Sequence, residues 1–175
     1  MSYNDAFMRR AIEISAQALD NPGLEPFGAV VVRDGRIVGE GINRSLANFD
    51  PTSHGETEAI RDAARNLRTV DLRGCTLYTS CEPCALCVAA MAIAGITKLY
   101  YAADMAQAGA ALGDLPESAR FPIDVDHLTH ECAQSVTNRR MPSEQARSEE
   151  AAAILHNWAR QARLENPGTT ETGGM

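Results

Sequence analysis

The sequence predicts an α/β fold in which helices alternate with strands and part of the sheet is parallel. Three observations carry this. Beyond residue 50, helical apolar spacing and short β-rich runs alternate, and strand–helix–strand passes favour parallel strands with helices on the sheet faces. Before that, Asp34-Gly35 sits between two short apolar runs, a strong two-residue hairpin signal. The chain opens on an amphipathic stretch, with Phe7, Met8, Ala11, Ile12, Ser15, Ala18 and Leu19 on one helical face.

In chain order, Asn4 or Asp5 caps a first helix that runs to about Leu19, and Asp20-Asn21-Pro22-Gly23 stops it. Strands are expected over Gly28–Arg33 and Arg36–Gly41. Ser53 reads as the N-cap of a helix from about His54 to Leu67, with Glu56 its capping-box partner and Ala59, Ile60, Ala63, Ala64 and Leu67 its buried face. Thr76–Thr79 is β-rich. Pro83 suits the first position of a helix that runs to Ala94 and stops at Gly95. Lys98–Ala103 reads as a buried strand. Ala106–Ala111 is either a loop or a short helix, Phe121–Val125 enters a last short strand, and Ser143 caps a helix to about Arg163. The reading is one domain over residues 1–165, with 166–175 a mobile tail that has almost nothing to bury.

Composition narrows the class. The chain of 175 residues is 45% hydrophobic and carries a net charge of −7. That charge supplies no general attraction to phosphate backbones, which weighs against a nucleic-acid partner. No apolar run reaches transmembrane length, and the first residues show no signal-peptide pattern. Five cysteines, an odd number and clustered, suggest metal ligation in a reducing compartment rather than disulfides. A soluble cytoplasmic protein is expected. Cys75 and Cys132 read as small buried residues, and His127, His130 and His156 as surface residues.

The chemistry concentrates in Ser53-His54-Gly55-Glu56 and Ser80-Cys81-Glu82-Pro83-Cys84-Ala85-Leu86-Cys87. His54, Cys84 and Cys87 make a three-ligand set suited to one Zn²⁺, with the fourth tetrahedral position left for water. Glu56, two residues past His54, is placed to handle that water's proton. Cys84 and Cys87 share a face of the first helical turn, where the helix dipole favours thiolate. Two other metal readings compete. Cys81-x-x-Cys84-x-x-Cys87 begins like a ferredoxin cluster run, but the fourth cysteine would fall at Met91. A structural zinc site would need Cys75 or Cys81 as a fourth ligand.

His-x-Glu followed by Pro-Cys-x-x-Cys resembles the cytidine deaminase-like superfamily of zinc nucleobase deaminases. The likeness covers about Phe7 to Ala103. Pro26-Phe27-Gly28-Ala29, Asn43, Asp50-Pro51-Thr52 and Leu77 to Cys84 look most like bacterial guanine deaminases, and Asp50-Pro51-Thr52 and Glu82-Pro83-Cys84 are also similar to tRNA adenosine deaminases. The resemblance implies a three-layer α/β/α sandwich around a mixed five-stranded sheet, one zinc per chain, a homodimer and a small nucleobase or nucleoside substrate. It makes Glu56 the proton carrier, Asn43 a hydrogen-bonding partner of the base, Phe27 a wall or stacking surface, and Gly55 a backbone contact. Guanine to xanthine is the expected conversion, with a cytosine-type pyrimidine as the alternative and a tRNA adenosine or a non-catalytic zinc role behind it.

Three departures bear on the substrate. Gly55 stands where most of the family has Ala, a form associated with fungal cytosine deaminases. Met91-Ala92-Ile93 lacks the aromatic residue that guanine deaminases carry there. Leu112-Gly113-Asp114-Leu115 only partly matches their acidic Gly-Phe-Asp-Asp stretch, which leaves Asp114 as a candidate second carboxylate.

Overall fold

The computed structural model describes residues 2–117 and 119–166. Asn4 caps α1 (Asp5–Ala16) by accepting from the Ala6 amide. Strands β1 (Glu25–Arg33) and β2 (Arg36–Asn43) form the expected hairpin. Asp34 and Gly35 both take positive φ, 51° and 74°, as a type I′ turn requires. A one-turn helix, α2 (Ser45–Asn48), leads to α3 (Gly55–Leu67), then β3 (Thr76–Cys81), α4 (Ala85–Ala94) and β4 (Lys98–Ala103). The sheet order is β2-β1-β3-β4, with β1 antiparallel to both neighbours and β3 parallel to β4. This is a mixed sheet within an α/β fold.

Alternation along β1 builds two cores. Ala29 and Val31 face one side with Leu77, where Ala59 and Ala63 of α3 and Met91 and Ala94 of α4 pack. Val30 and Val32 face the other with Tyr78 and Ile42, against Met8, Ala11 and Ile14 of α1. The period of two in the strand and of three to four in the helices is thus satisfied on both faces. Contact between α3 and β2 is so close that a Cβ on Gly41 would lie 2.2 Å from the Gly55 carbonyl oxygen and 2.3 Å from the Ala59 nitrogen.

Several expectations change. The sheet has four strands among the described residues rather than five. Phe121–Asp124 forms no strand, because Pro122 removes a ladder donor and Val125 opens α6 (Val125–Ala133). The ambiguous stretch 106–111 is helical, within α5 (Met105–Leu112), which a capping box between Asp104 and Gln107 starts. Pro83 precedes the N-cap, Cys84, instead of opening α4. Helix α7 (Ser148–Glu165) begins later than Ser143, whose hydroxyl donates to the Met141 carbonyl. Cys75 is buried as expected, but Cys132 is exposed. His127, His130 and His156 are exposed or half-exposed and lie in no metal-ligating group among the described residues.

The chain divides into two compact units, Met1–Cys132 and Ala133–Met175. The first holds the sheet and α1 to α6; the second holds a short 3₁₀ turn and α7. Of the expected tail, 167–175 lie outside the described residues. Among the described residues, no helix is long and apolar enough to cross a membrane.

Candidate active site

Two helix starts meet at the carboxyl end of β3. His54 is the N-cap of α3 and Cys84 the N-cap of α4, and neither side chain caps its own helix. Both are therefore free to point at each other. His54 Nδ1 lies 3.6 Å from Cys84 Sγ and 3.5 Å from Cys87 Sγ, and the two sulfurs are 3.8 Å apart. A tetrahedral zinc with Zn–S of about 2.3 Å and Zn–N of about 2.0–2.1 Å would space its ligands about 3.6 and 3.8 Å apart. The triangle fits that ion without rearrangement. Among the described residues these three form the one such group of His, Cys, Asp and Glu side chains. Cys75 and Cys81 do not join it.

The two thiols are pushed in opposite directions. Hydrogen bonding with Cys87 holds the Cys84 thiol at about 4, against an ordinary 9, with His54 helping and burial opposing. Cys87 is pushed up correspondingly, by that same hydrogen bond, by burial and by the Glu56 carboxylate beside it. The lowered Cys84 thiol favours the thiolate that a cation would need, and metal binding at such a pair releases protons. His54 is pushed up by its hydrogen bond to Cys84.

Glu56 is not the capping partner of Ser53. The Ser53 hydroxyl instead donates to Glu58 Oε1 at 2.8 Å. Glu56 turns inward, 4% exposed, where its Oε1 accepts from Thr79 Oγ1 at 3.0 Å and its Oε2 from Cys87 Sγ at 3.3 Å. Burial pushes its carboxyl above the ordinary range, toward the pKa that suits a proton carrier.

A cavity of about 240 Å³ opens onto these groups, lined by Phe27, Asn43, Glu82 and Arg120 besides His54, Glu56 and the cysteines. Its far wall is Met105, Ala108, Gly109 and Leu112 of α5, with Ile123 and Val125. Phe27 comes from β1, held near β3 because the next amide, Gly28, donates to Ser80 Oγ at 3.0 Å. Asn43 ends β2, buried, and its Oδ1 accepts from the Ser45 amide at 2.9 Å, which leaves the amide NH₂ for a ligand. Gly55 is buried against β1, where a Cβ would lie 2.3 Å from the Phe27 carbonyl oxygen; it packs rather than lines the cavity. Asp114 is exposed just past α5 and is not in the cavity wall. Met91 is in the core and Ile93 is 87% exposed, so neither reaches the cavity.

Thr79, Glu82 and Arg120 join the site although no motif singles them out. Thr79 follows from strand alternation ahead of Cys81. Glu82 lies within the cysteine motif, and its Oε2 accepts from the Met105 amide at 2.9 Å, fastening the start of α5. Arg120 has no local signal.

The comparisons with known proteins agree with this geometry. Guanine deaminase from Bacillus subtilis (strain 168) is 43% identical over 110 residues, which cover 61% of this chain and 70% of that protein. The X-ray structure of guanine deaminase from Bacillus subtilis superposes with a TM-score of 0.77 at 31% identity, covering 91% of this chain and 95% of that one. The tRNA-specific adenosine deaminase of Haemophilus influenzae is 33% identical over 142 residues, 77% of this chain and 82% of that protein. Residues 1–103, which hold every member of the metal triangle and Glu56, match the cytidine and deoxycytidylate deaminase zinc-binding region, and the chain belongs to that family.

Proposed function

We propose that this protein is a zinc-dependent aminohydrolase that converts guanine and water to xanthine and ammonia. The observation that carries the reading is a buried Glu56 in contact with Cys87 inside a zinc-sized His54–Cys84–Cys87 triangle, at the floor of a base-sized cavity. His54, Cys84 and Cys87 would hold the ion. When bound, zinc acts as a Lewis acid and lowers the pKa of water enough to supply a nucleophile near neutral pH. Glu56 accepts the proton of the attacking water, passes it to a ring nitrogen, and then protonates the amine that leaves as ammonia. Thr79 holds Glu56 by one oxygen throughout. Asn43 donates its NH₂ to an acceptor on the base, and Phe27 provides an apolar wall. Asp114, exposed, has no part in this scheme.

Guanine is favoured by the likeness to the Bacillus subtilis enzyme in both sequence and fold. The net charge of −7 weighs against tRNA. We read the architecture as three-layered, supported by helix-packed cores on both faces of the sheet. A homodimer is supported by α4, which has no charged residue yet leaves Val88 49% and Ile93 87% exposed; a helix apolar all round needs cover. The test is ammonia release by the zinc-loaded protein across guanine, cytosine, adenine, their nucleosides and a tRNA anticodon stem-loop. Turnover of guanine above the rest is expected. Turnover of a pyrimidine with guanine inert would overturn the substrate, and salt-sensitive turnover of the stem-loop would overturn the substrate class.

A further inference from the structure

Among the described residues lining the cavity, Arg120 is the one with a permanent positive charge, and the reaction above gives it no task. It is anchored from two sides. Its Nε donates to Glu25 Oε2 at 2.8 Å, across 95 residues of sequence, and its Cζ lies 5.3 Å from the centroid of the Phe27 ring. The two side chains of the ion pair are only 24% and 13% exposed. A guanidinium so fixed is preorganised, because carboxylate and ring have already removed most of its freedom.

The anchoring uses one N–H of five. The Nη groups of Arg120 have no hydrogen-bond partner among the described residues. Donors at a cavity wall that lack partners favour a ligand that brings acceptors. Charge decides which kind. Glu25 neutralises Arg120, and Glu56 and Glu82 line the same cavity, so a phosphate would meet more negative charge than positive. A neutral acceptor suits the site better. The flat fork of an arginine matches an oxo oxygen with its neighbouring ring nitrogen, as in the pairing of arginine with guanine O6 and N7.

We infer that Arg120 is a specificity-determining residue that donates to the oxo edge of the base, so that the site selects oxo-bearing amino bases in unphosphorylated form. The inference rests on the deaminase reading above. Its test uses matched bases that differ at the oxo group and the ring N–H that goes with it: guanine with 2-aminopurine, and cytosine with 4-aminopyrimidine, each measured as substrate or as competitive inhibitor. In Arg120→Met, kcat/KM for the oxo base should fall about tenfold to a hundredfold, while the oxo-free partner moves less than about twofold. Arg120→Lys should recover part of the loss, since one point donor replaces a fork. Zinc content and melting temperature are checked alongside. Should Arg120→Met fail to fold, Glu25→Gln, which loosens the arginine without removing it, is expected to show the same selective loss at smaller size. An equal loss on both members of a pair, or none, overturns the inference and leaves the deaminase reading standing. A wild-type protein inert on every base overturns both.

Discussion

Gly41→Ala tests whether the seat of α3 on β2 sets the geometry of the site. The added Cβ would lie 2.2 Å from the Gly55 carbonyl oxygen and 2.3 Å from the Ala59 nitrogen. Both are backbone atoms, so no side chain can swing aside, and the helix start must lift by about 1 Å to restore ordinary contact. Overpacking of this kind costs typically 1–3 kcal/mol, and a clash with helix backbone belongs at the upper end. For a chain of this size about 3 kcal/mol lowers Tm by roughly 6–12 °C. The displaced residues flank His54 and Glu56, and a misplacement of about 1 Å at a catalytic group can cost on the order of a hundredfold in rate. Thermal melting, zinc content and kcat on the same preparation measure all three. A variant that melts within about 2 °C of the wild type with unchanged kcat would show that the seat of α3 on β2 does not set the site.

Gly109→Ala is the contrasting case. Among the described residues nothing beyond its own helix backbone and chain neighbours lies within 4 Å of a Cβ there, and the site is mid-helix in α5, so stability should hold or rise by up to about 1 kcal/mol in a melting experiment. Cys84→Ala removes one corner of the triangle; zinc content by metal analysis should fall toward zero and Tm with it, because metal binding is coupled to folding. Full zinc occupancy in that variant would mean that another residue is the ligand. The Arg10–Glu40 pair gives a pH signature. Hydrogen bonding from Arg10 holds the Glu40 carboxyl below its ordinary 4.5, so its contribution is present above that pH and is lost as pH falls through the lowered value. Both side chains are more than a third exposed, so Arg10→Met should cost at most about 1 kcal/mol near neutral pH and nothing in strong acid, read from denaturant midpoints across pH.

The metal triangle was legible because its members fall in two short motifs, His54-x-Glu56 and Cys84-x-x-Cys87. His54 and the two cysteines sit at helix starts that apolar periodicity locates, and β3 brings those starts together. Glu56 was legible as a motif member but equally as a cap. The choice was made by Ser53, which pairs with Glu58 and leaves Glu56 to Thr79 and Cys87. The wall formed by α5 and the segment after it was not legible. Met105–Leu112 is rich in alanine and glycine, with little polarity contrast between its faces. Phe121–Val125 has strand-like composition that Pro122 and the start of α6 override. Asp114 drew notice through a partial motif match, whereas the cation that the chain does bring to the cavity is Arg120, fixed by a glutamate 95 residues away that no periodicity connects to it.

The most direct measurement is ammonia release from guanine by the zinc-loaded wild type beside Glu56→Gln, with zinc content and melting temperature recorded for both. The account expects wild-type turnover, and a variant that keeps its zinc and its fold while its rate falls by at least about a hundredfold, the usual worth of a positioned proton carrier. A variant that deaminates guanine within about tenfold of the wild type would contradict the central role given to Glu56.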